Sequence, residues 1–184
     1  MDDPMTSGIN ETAPAQGPKD TRTLYIDYSK CIGCETCEAV CKFLYAQPRI
    51  VMVRTVDGQM LPLYCRHCDH PHCMKTCRTG SLTVDEQHAV LLNPMFCRGC
   101  QTKSCILGCP YGGVFATGEG VAVSKCDLCA SRRKKGDLPA CVEMCPTGAI
   151  LYVEREAIPG LETDESRAAE ARVTDFVRPR KEKS

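Results

Sequence analysis

The stretch Cys31-Ile-Gly-Cys34-Glu-Thr-Cys37-Glu-Ala-Val-Cys41 decides the organisation of this chain, because its four thiols stand at spacings of two, two and three intervening residues. Thiolate sulfur is the ligand that iron–sulfur cubes take from proteins, and a tight loop with three thiols can wrap one cube. Where a chain holds two cubes, the fourth cysteine of such a run ligates the other cube. The stretch therefore predicts a 4Fe–4S cluster and a partner motif elsewhere in the chain.

Three further cysteine quartets supply possible partners. They are Cys65, Cys68, Cys73 and Cys77; Cys97, Cys100, Cys105 and Cys109; and Cys126, Cys129, Cys141 and Cys145. With the first quartet they use all 16 cysteines of the chain. The second and third quartets share the spacing C-x2-C-x4-C-x3-C, which indicates an internal duplication. The pattern predicts four 4Fe–4S clusters as cofactors, with these cysteines as the metal ligands and no catalytic residue.

Disulfide bonds and zinc are the alternative uses of so many cysteines. Residues 1–20 contain neither the basic start nor the apolar stretch of a secretory signal, which disfavours disulfides. Zinc ribbons also use C-x2-C pairs, but a C-x2-C-x2-C-x3-C run is crowded for tetrahedral zinc. His67, His70 and His72 lie in or beside the second quartet, and with four thiols present we expect them to be polar surface residues.

The composition is typical of a fold that is held together by metal clusters. Aromatic residues make up 5% of the 184 residues and tryptophan is absent, so a conventional core is hard to fill. Metal binding then couples to folding, and we expect the apo chain to be largely unfolded. The formal net charge is zero, but four thiolate-ligated clusters would add about eight negative charges. Basic residues flank the ligand cysteines, as compensating charges or as solvated surface: Lys30, Lys42, Arg66, Lys75, Arg78, Arg98, Lys103 and Lys125.

Local patterns predict short strands and one short helix around the quartets. The predicted strands are Thr23–Tyr28, Ile50–Val56, Met60–Tyr64, Leu82–Val84, Ala89–Leu92, Val121–Ser124 and Thr147–Val153, and the helix is Glu38–Tyr45. Asp57-Gly58 is a strong hairpin signal between two of these strands. Residues 1–20 are expected to be a disordered tail and 159–184 a charged tail. The basic segment Ser131–Gly136 is either a docking patch or a solvated loop.

The region Leu24–Val153 resembles the four-cluster ferredoxin-type electron-transfer subunits of molybdenum and tungsten oxidoreductases, which include dimethyl sulfoxide reductase, formate dehydrogenase and hydrogenase-linked relatives. Two segments carry the resemblance most specifically: Cys126-Asp-Leu-Cys129, and Pro139-Ala-Cys141-Val-Glu-Met-Cys145-Pro146-Thr-Gly-Ala. The resemblance implies an α+β fold of two pseudo-duplicated ferredoxin-like halves. Residues 21–58 plus 118–158 would form the half with quartets one and four, and residues 59–117 the inserted half.

The resemblance also implies how the quartets share their fourth cysteines. The four ligand sets would be Cys31, Cys34, Cys37 and Cys145 (site I); Cys126, Cys129, Cys141 and Cys41 (site II); Cys65, Cys68, Cys73 and Cys109 (site III); and Cys97, Cys100, Cys105 and Cys77 (site IV). Two departures from the family pattern stand out. Four residues separate Cys100 from Cys105 where two are common, and Arg78 follows Cys77 where proline is usual.

By this resemblance the chain is expected to relay single electrons between a catalytic oxidoreductase subunit and another redox partner, such as a membrane anchor, flavoprotein or ferredoxin. The alternatives are a freestanding polyferredoxin carrier and, in another class, a zinc-binding scaffold or adaptor. Neither a dinucleotide fingerprint nor a Walker loop occurs, and nothing indicates nucleic acid binding or a membrane span. The expected location is the cytoplasm or the cytoplasmic membrane face, with export alongside a signal-bearing partner as the alternative.

Overall fold

A computed structural model describes residues 21–118 and 122–178. The predicted disordered tail, Val121 of the predicted strand and the last six residues of the predicted charged tail lie outside these ranges. The fold is a small α+β arrangement of two-stranded antiparallel sheets and short helices, as the fold class predicted. None of the helices in the described ranges has the length and hydrophobicity needed to cross a membrane.

The first and last strands of the fold pair with each other. Strand β1 (Arg22–Ile26) runs antiparallel to β8 (Ile150–Glu154), with Ile26 opposite Ile150 and Arg22 opposite Glu154. Leu24 and Ile26 are buried, so the strand is anchored by apolar contacts as well as by its hydrogen bonds. Because β1 ends just before the first quartet and β8 begins just after Cys145, this pairing brings the first and fourth quartets together.

Between these strands, the described residues form three further antiparallel strand pairs. They are β2 (Ile50–Arg54) with β3 (Met60–Tyr64), β4 (Leu82–Val84) with β5 (Val90–Leu92), and β6 (Phe115–Ala116) with β7 (Val123–Ser124). The first hairpin turns at Gly58, whose φ of 85° lies in the left-handed region. The second turns at Asp85, whose carboxylate accepts hydrogen bonds from the amides of Gln87 (2.9 Å) and Ala89 (2.8 Å). Both predicted hairpins are confirmed.

The helices are short, and several carry a cysteine. They are α1 (Thr36–Tyr45), α2 (His72–Lys75), α3 (Pro94–Cys97), α4 (Ser104–Leu107), α5 (Ala130–Arg133), α6 (Ala140–Glu143), a 3-10 turn (Arg155–Ala157), α7 (Ile158–Leu161) and α8 (Asp164–Val177). Helix α1 begins two residues before its predicted start. Helix α8 opens with a capping box between Thr163 and Ser166, which satisfies amides that the first turn leaves free.

The basic segment after Cys129 is not the solvated loop that was one of its two predictions, and the docking patch stays a prediction. Its first half is helix α5, and Arg133 is buried instead of solvated. The guanidinium of Arg133 donates to the carbonyl oxygen of Leu128 (2.8 Å) and to the carboxylate of Asp85 (2.9 Å). This arginine therefore ties the fourth quartet to the β4–β5 turn.

Buried side chains form two apolar groups that include cysteine thiols. The larger group contains Leu24, Ile50 and Leu63 and extends to Ala169 and Val173 of α8. Helix α8 thus packs on the core, although its sequence lies in the predicted charged tail. The smaller group contains Leu82, Val90, Val114 and Val123 together with Cys73, Cys97 and Cys105. Nine of the cysteines are buried and Cys34 is exposed, so a majority of the thiols are part of the interior, as expected if clusters replace core volume.

Candidate metal centres

All 16 cysteines are free thiols in the structure, and all lie within the described residues. The C-x2-C loops of quartets one, two and four turn in the same way. The residue before the second cysteine is left-handed in each: Gly33 (φ 69°), His67 (φ 49°) and Leu128 (φ 55°). Gly99 occupies the equivalent place in the third quartet without a left-handed φ, so the loop with the unusual spacing differs locally.

Site I brings together thiols from opposite ends of the cysteine-containing region. Cys31, Cys34, Cys37 and Cys145 line one cavity of about 330 Å³, part of which is open to solvent. Burial first, and then the nearby thiol of Cys31, raise the pKa of Cys37 to about 12. Cys145 likewise raises the pKa of Cys31, after the larger effect of burial. The strand pair β1–β8 accounts for this meeting of residues more than a hundred positions apart.

Site II has four buried thiols. Cys41, Cys126, Cys129 and Cys141 line a second cavity, of about 360 Å³, part of which is open to solvent. Burial raises the pKa of Cys141, and the thiols of Cys129, Cys37 and Cys41 raise it further. Cys37 belongs to site I, so sites I and II are neighbours.

Site III joins the second quartet to the end of the third. Burial first, and then the thiols of Cys65, Cys109 and Cys68, raise the pKa of Cys73 to about 11. The pKa of Cys68 is also raised, first by burial and then by the nearby thiols of Cys65 and Cys109. The four thiols are therefore electrostatic neighbours.

Sites II and III are adjacent. Burial raises the pKa of Cys126 of site II, and the thiol of Cys65 of site III is among those that raise it further.

Site IV contains the remaining thiols. Burial raises the pKa of Cys105, and Cys97, Cys77 and Cys100 raise it further, which places all four thiols close together. The pKa of Cys100 is lowered, first by the amide of Lys103 and then by the hydroxyl of Thr102. Cys73 of site III and Cys97 and Cys105 of site IV share the smaller apolar group, so these two sites are neighbours.

The surroundings of the thiols fit iron–sulfur clusters. Backbone N–H groups donate to sulfur at three sites: Arg49 to Cys41 (3.2 Å), Leu128 to Cys126 (3.3 Å), Gly113 to Cys109 (3.3 Å) and Val123 to Cys97 (3.5 Å). Such donors stabilise the negative charge that thiolates and cluster sulfur carry. Gly113 also has to be glycine, since a Cβ there would stand 2.4 Å from the carbonyl oxygen of Tyr64. Among the described residues, no group of three or more His, Cys, Asp or Glu side chains is arranged to hold a single metal ion.

Two polar residues beside the ligands, His67 and Lys125, are buried. The sequence predicted His67 to lie at the surface and left the exposure of Lys125 open. His67 is fully buried, so its prediction as a surface histidine is wrong, whereas His70 and His72 are exposed. The Nδ1 of His67 accepts a hydrogen bond from the amide of Val90 (2.9 Å), and burial is the first cause that lowers the pKa of His67. Among the eight flanking basic residues, Lys125 is buried, Arg66 and Lys103 are half-buried and the other five are exposed. His67 lies between Cys65 and Cys68 in the sequence, and its burial could have been predicted from this position.

Comparisons with known proteins agree with this geometry. The 4Fe-4S dicluster domain matches residues 56–155, and the 4Fe-4S binding domain matches residues 24–43. The chain is 34% identical to the probable anaerobic dimethyl sulfoxide reductase chain YnfG of Escherichia coli K12, over 70% of this chain and 71% of that protein. It is 32% identical to a tetrathionate reductase subunit of Salmonella typhimurium (72% and 57%) and 30% identical to the electron transport protein HydN of Escherichia coli K12 (79% and 95%). The chain belongs to the family of proteins with a 4Fe–4S dicluster domain, and 4Fe–4S clusters are its cofactors.

Proposed function

We propose that the chain holds four 4Fe–4S clusters, one at each of sites I to IV, and relays single electrons through them. The observation that carries this proposal is the grouping of Cys145 with Cys31, Cys34 and Cys37 around one cavity. A cluster ligated in this way draws its fourth thiolate from another quartet, which is the arrangement of proteins with paired 4Fe–4S clusters. The other three sites repeat the exchange.

The proposed clusters form a row. Site I neighbours site II through Cys37 and Cys141, and site II neighbours site III through Cys126 and Cys65. Sites III and IV share one apolar group. The order I, II, III, IV gives a path along which an electron enters at one end and leaves at the other. A bound 4Fe–4S cluster supplies reversible one-electron redox chemistry, and the chain sets its potential through charge, hydrogen bonds and solvent exposure.

The two proposed halves follow from the same grouping. Residues 21–58 and 118–158 supply the ligands of sites I and II, and residues 59–117 supply those of sites III and IV. The pairing of β1 with β8 supports the first half, and the smaller apolar group supports the second. Helix α8 contacts both halves, because the hydroxyl of Tyr25 donates to that of Ser166 and Glu170 pairs with Arg66.

We infer that one partner is the catalytic subunit of an oxidoreductase and that this chain is not itself catalytic. Each site as proposed has four cysteine ligands and hence no open coordination position for a substrate. Three relatives are named as a reductase chain, a reductase subunit and an electron transport protein. HydN is matched over 95% of its length, which keeps a freestanding carrier as the second candidate. The proposed location is the cytoplasm or the cytoplasmic face of the membrane.

Metal analysis of anaerobically purified protein tests the cofactor content. We expect about sixteen iron and about sixteen sulfide per chain, four of each per cluster, with a brown colour that dithionite bleaches. Stoichiometric zinc in a colourless protein would refute the proposal in favour of a zinc-binding scaffold. Affinity purification of the tagged chain from its native host tests the partner. A copurified large redox subunit supports the relay, and a fully loaded chain without one supports the freestanding carrier.

A further inference from the structure

Threonine stands two residues after a candidate ligand cysteine at four places in the chain. Each threonine hydroxyl lies within hydrogen-bonding distance of the sulfur that precedes it. The pairs are Cys34 with Thr36 (3.3 Å), Cys77 with Thr79 (3.6 Å), Cys100 with Thr102 (3.7 Å) and Cys145 with Thr147 (3.7 Å). The same short contact is thus built four times, in segments far apart in sequence.

The four contacts are divided between only two of the sites. Cys34 and Cys145 both belong to site I, and Cys77 and Cys100 both belong to site IV. The corresponding positions at sites II and III hold Phe43, Ser131, His70 and Tyr111; Ser131 also carries a hydroxyl, but it forms no hydrogen bond with Cys129 among the described residues. The threonines therefore mark the two ends of the proposed row of clusters and leave out the two middle positions.

Cluster ligation decides the direction of these hydrogen bonds. A free thiol can donate to the hydroxyl oxygen, but a cysteine bound to iron has lost its proton and can only accept. The threonine hydroxyl must then donate to sulfur. One-electron reduction takes the cluster core from two positive charges to one, so the sulfur atoms become more negative while no bond breaks and no proton moves. A donor that faces the sulfur stabilises the reduced form more than the oxidised form.

We propose that Thr36 and Thr147 raise the reduction potential of the site I cluster, and that Thr79 and Thr102 do the same at site IV. This inference rests on the proposed four-cluster relay. The end clusters are the ones that exchange electrons with partners, and a docked partner displaces water that would otherwise donate to exposed sulfur. The threonine hydroxyls belong to the chain and stay in place when a partner docks. The reduction potential of each end cluster is therefore kept similar in the free chain and in the complex.

Valine substitutions test the role of the hydroxyls, because valine keeps the β-branched shape and removes the donor. The two double variants are Thr36→Val with Thr147→Val, and Thr79→Val with Thr102→Val. Serine at the same positions restores the hydroxyl. Thr83→Val, at an exposed position on strand β4, is the matched control. Iron and sulfide content is measured first, and dithionite titrations followed by electron paramagnetic resonance then give the four potentials.

We expect each valine pair to lower the potential of one cluster and to leave the other three unchanged. The ratio of reduced to oxidised cluster at a fixed applied potential should fall about tenfold, which corresponds to about 59 mV for a one-electron couple. Serine variants and Thr83→Val should match the wild type. The single variants Thr147→Val and Thr79→Val, at exposed positions, should each lower the ratio of reduced to oxidised cluster about threefold. They replace a double variant that fails to bind its clusters.

Unchanged potentials in loaded valine variants would overturn the inference, and would mean that water replaces the hydroxyls or that the threonines serve only the turns. An equal shift of all four potentials would also overturn it. A wild-type chain without its iron and sulfide would instead refute the proposed function, so the two failures are distinguishable.

Discussion

The ammonium group of Lys125 is buried and donates a hydrogen bond to the carbonyl oxygen of Val90 on strand β5. A second hydrogen bond, 2.5 Å long, joins it to the carbonyl oxygen of Cys126. No carboxylate in the described part of the chain forms an ion pair with this lysine. A buried cation with only neutral partners is costly, so the negative charge of bound clusters is its natural counter-charge.

The position of Lys125 relative to the thiols indicates which clusters it compensates. Burial raises the pKa of Cys126 at site II and of Cys73 at site III, and the charge of Lys125 opposes both rises. Lys125→Met should therefore lower the potentials of clusters II and III, because a nearby cation favours the more negative reduced state. Potentiometric titration with paramagnetic resonance measures this. Lys42→Met, at an exposed lysine beside Cys41, is the control and should change little because solvent screens its charge.

The proposed exchange of fourth cysteines gives a second prediction. Cys145→Ser and Cys31→Ser should weaken or remove the same cluster, although the two residues lie in different quartets. Cys41→Ser should instead affect the cluster that Cys141→Ser affects. Each variant should lose up to about four iron per chain, and paramagnetic resonance identifies the altered cluster. If Cys41→Ser and Cys31→Ser altered one and the same cluster, each quartet would ligate its own cube and the exchange would be wrong.

Local signals in the sequence predicted the hairpins and the first helix well. Asp57-Gly58 specifies its turn through neighbouring residues alone, and the structure has the hairpin with Gly58 in the left-handed region. The pairing of β1 with β8 depends on chain segments far apart in sequence, and only the family resemblance implied that the first and fourth quartets meet. The thiols group in the sets that the resemblance implied, while cluster ligation at each cysteine stays a proposal.

The features that the sequence did not reveal all depend on tertiary contacts. His67 is buried because its ring accepts a hydrogen bond from the amide of Val90, on a hairpin twenty-three residues away. Arg133 sits in a basic run that is typical of solvated loops, and its burial is favourable because Asp85 and the carbonyl oxygen of Leu128 accept hydrogen bonds from it. The packing of α8 rests on small residues such as Ala169 and Val173 among many charged ones, which is a weak amphipathic pattern.

Arg133 and its neighbour Arg132 give a matched pair for stability. The side chain of Arg133 is 2% exposed and bonded to Asp85, whereas Arg132 pairs with Glu143 at the surface. Arg133→Met should destabilise the holoprotein by about 2–3 kcal/mol, since Asp85 and the carbonyl of Leu128 lose a charged donor. Arg132→Met should cost at most about 1 kcal/mol.

The midpoint of cluster bleaching on anaerobic heating, at one fixed scan rate, compares the two variants. About 2–3 kcal/mol corresponds to a decrease of roughly 5–10 °C for a chain of this size. Equal midpoints for Arg133→Met and Arg132→Met would show that the buried hydrogen bonds of Arg133 contribute no more than a surface pair.

Helix α8 is held to the core by an apolar contact and an ion pair. Val173 is buried in the larger apolar group, and Glu170 pairs with Arg66 at 2.5 Å. The guanidinium of Arg66 also lies over the ring of Tyr111, 4.2 Å from its centroid. Val173→Asp places a carboxylate in this apolar contact and should release α8 from the core, at a cost of several kcal/mol to the docked state.

Limited proteolysis measures the release, because a detached α8 exposes the segment that precedes it. We expect cleavage near Glu162 and Thr163 to be at least tenfold faster in Val173→Asp than in the wild type, because local opening governs the rate when reclosing is fast. Ala171→Asp, at an exposed position on the same helix, is the control and should be cleaved at the wild-type rate. The four clusters should remain loaded in both variants, since α8 supplies no thiol. Iron loss in Val173→Asp alone would show instead that α8 is needed to hold the cluster-binding part together.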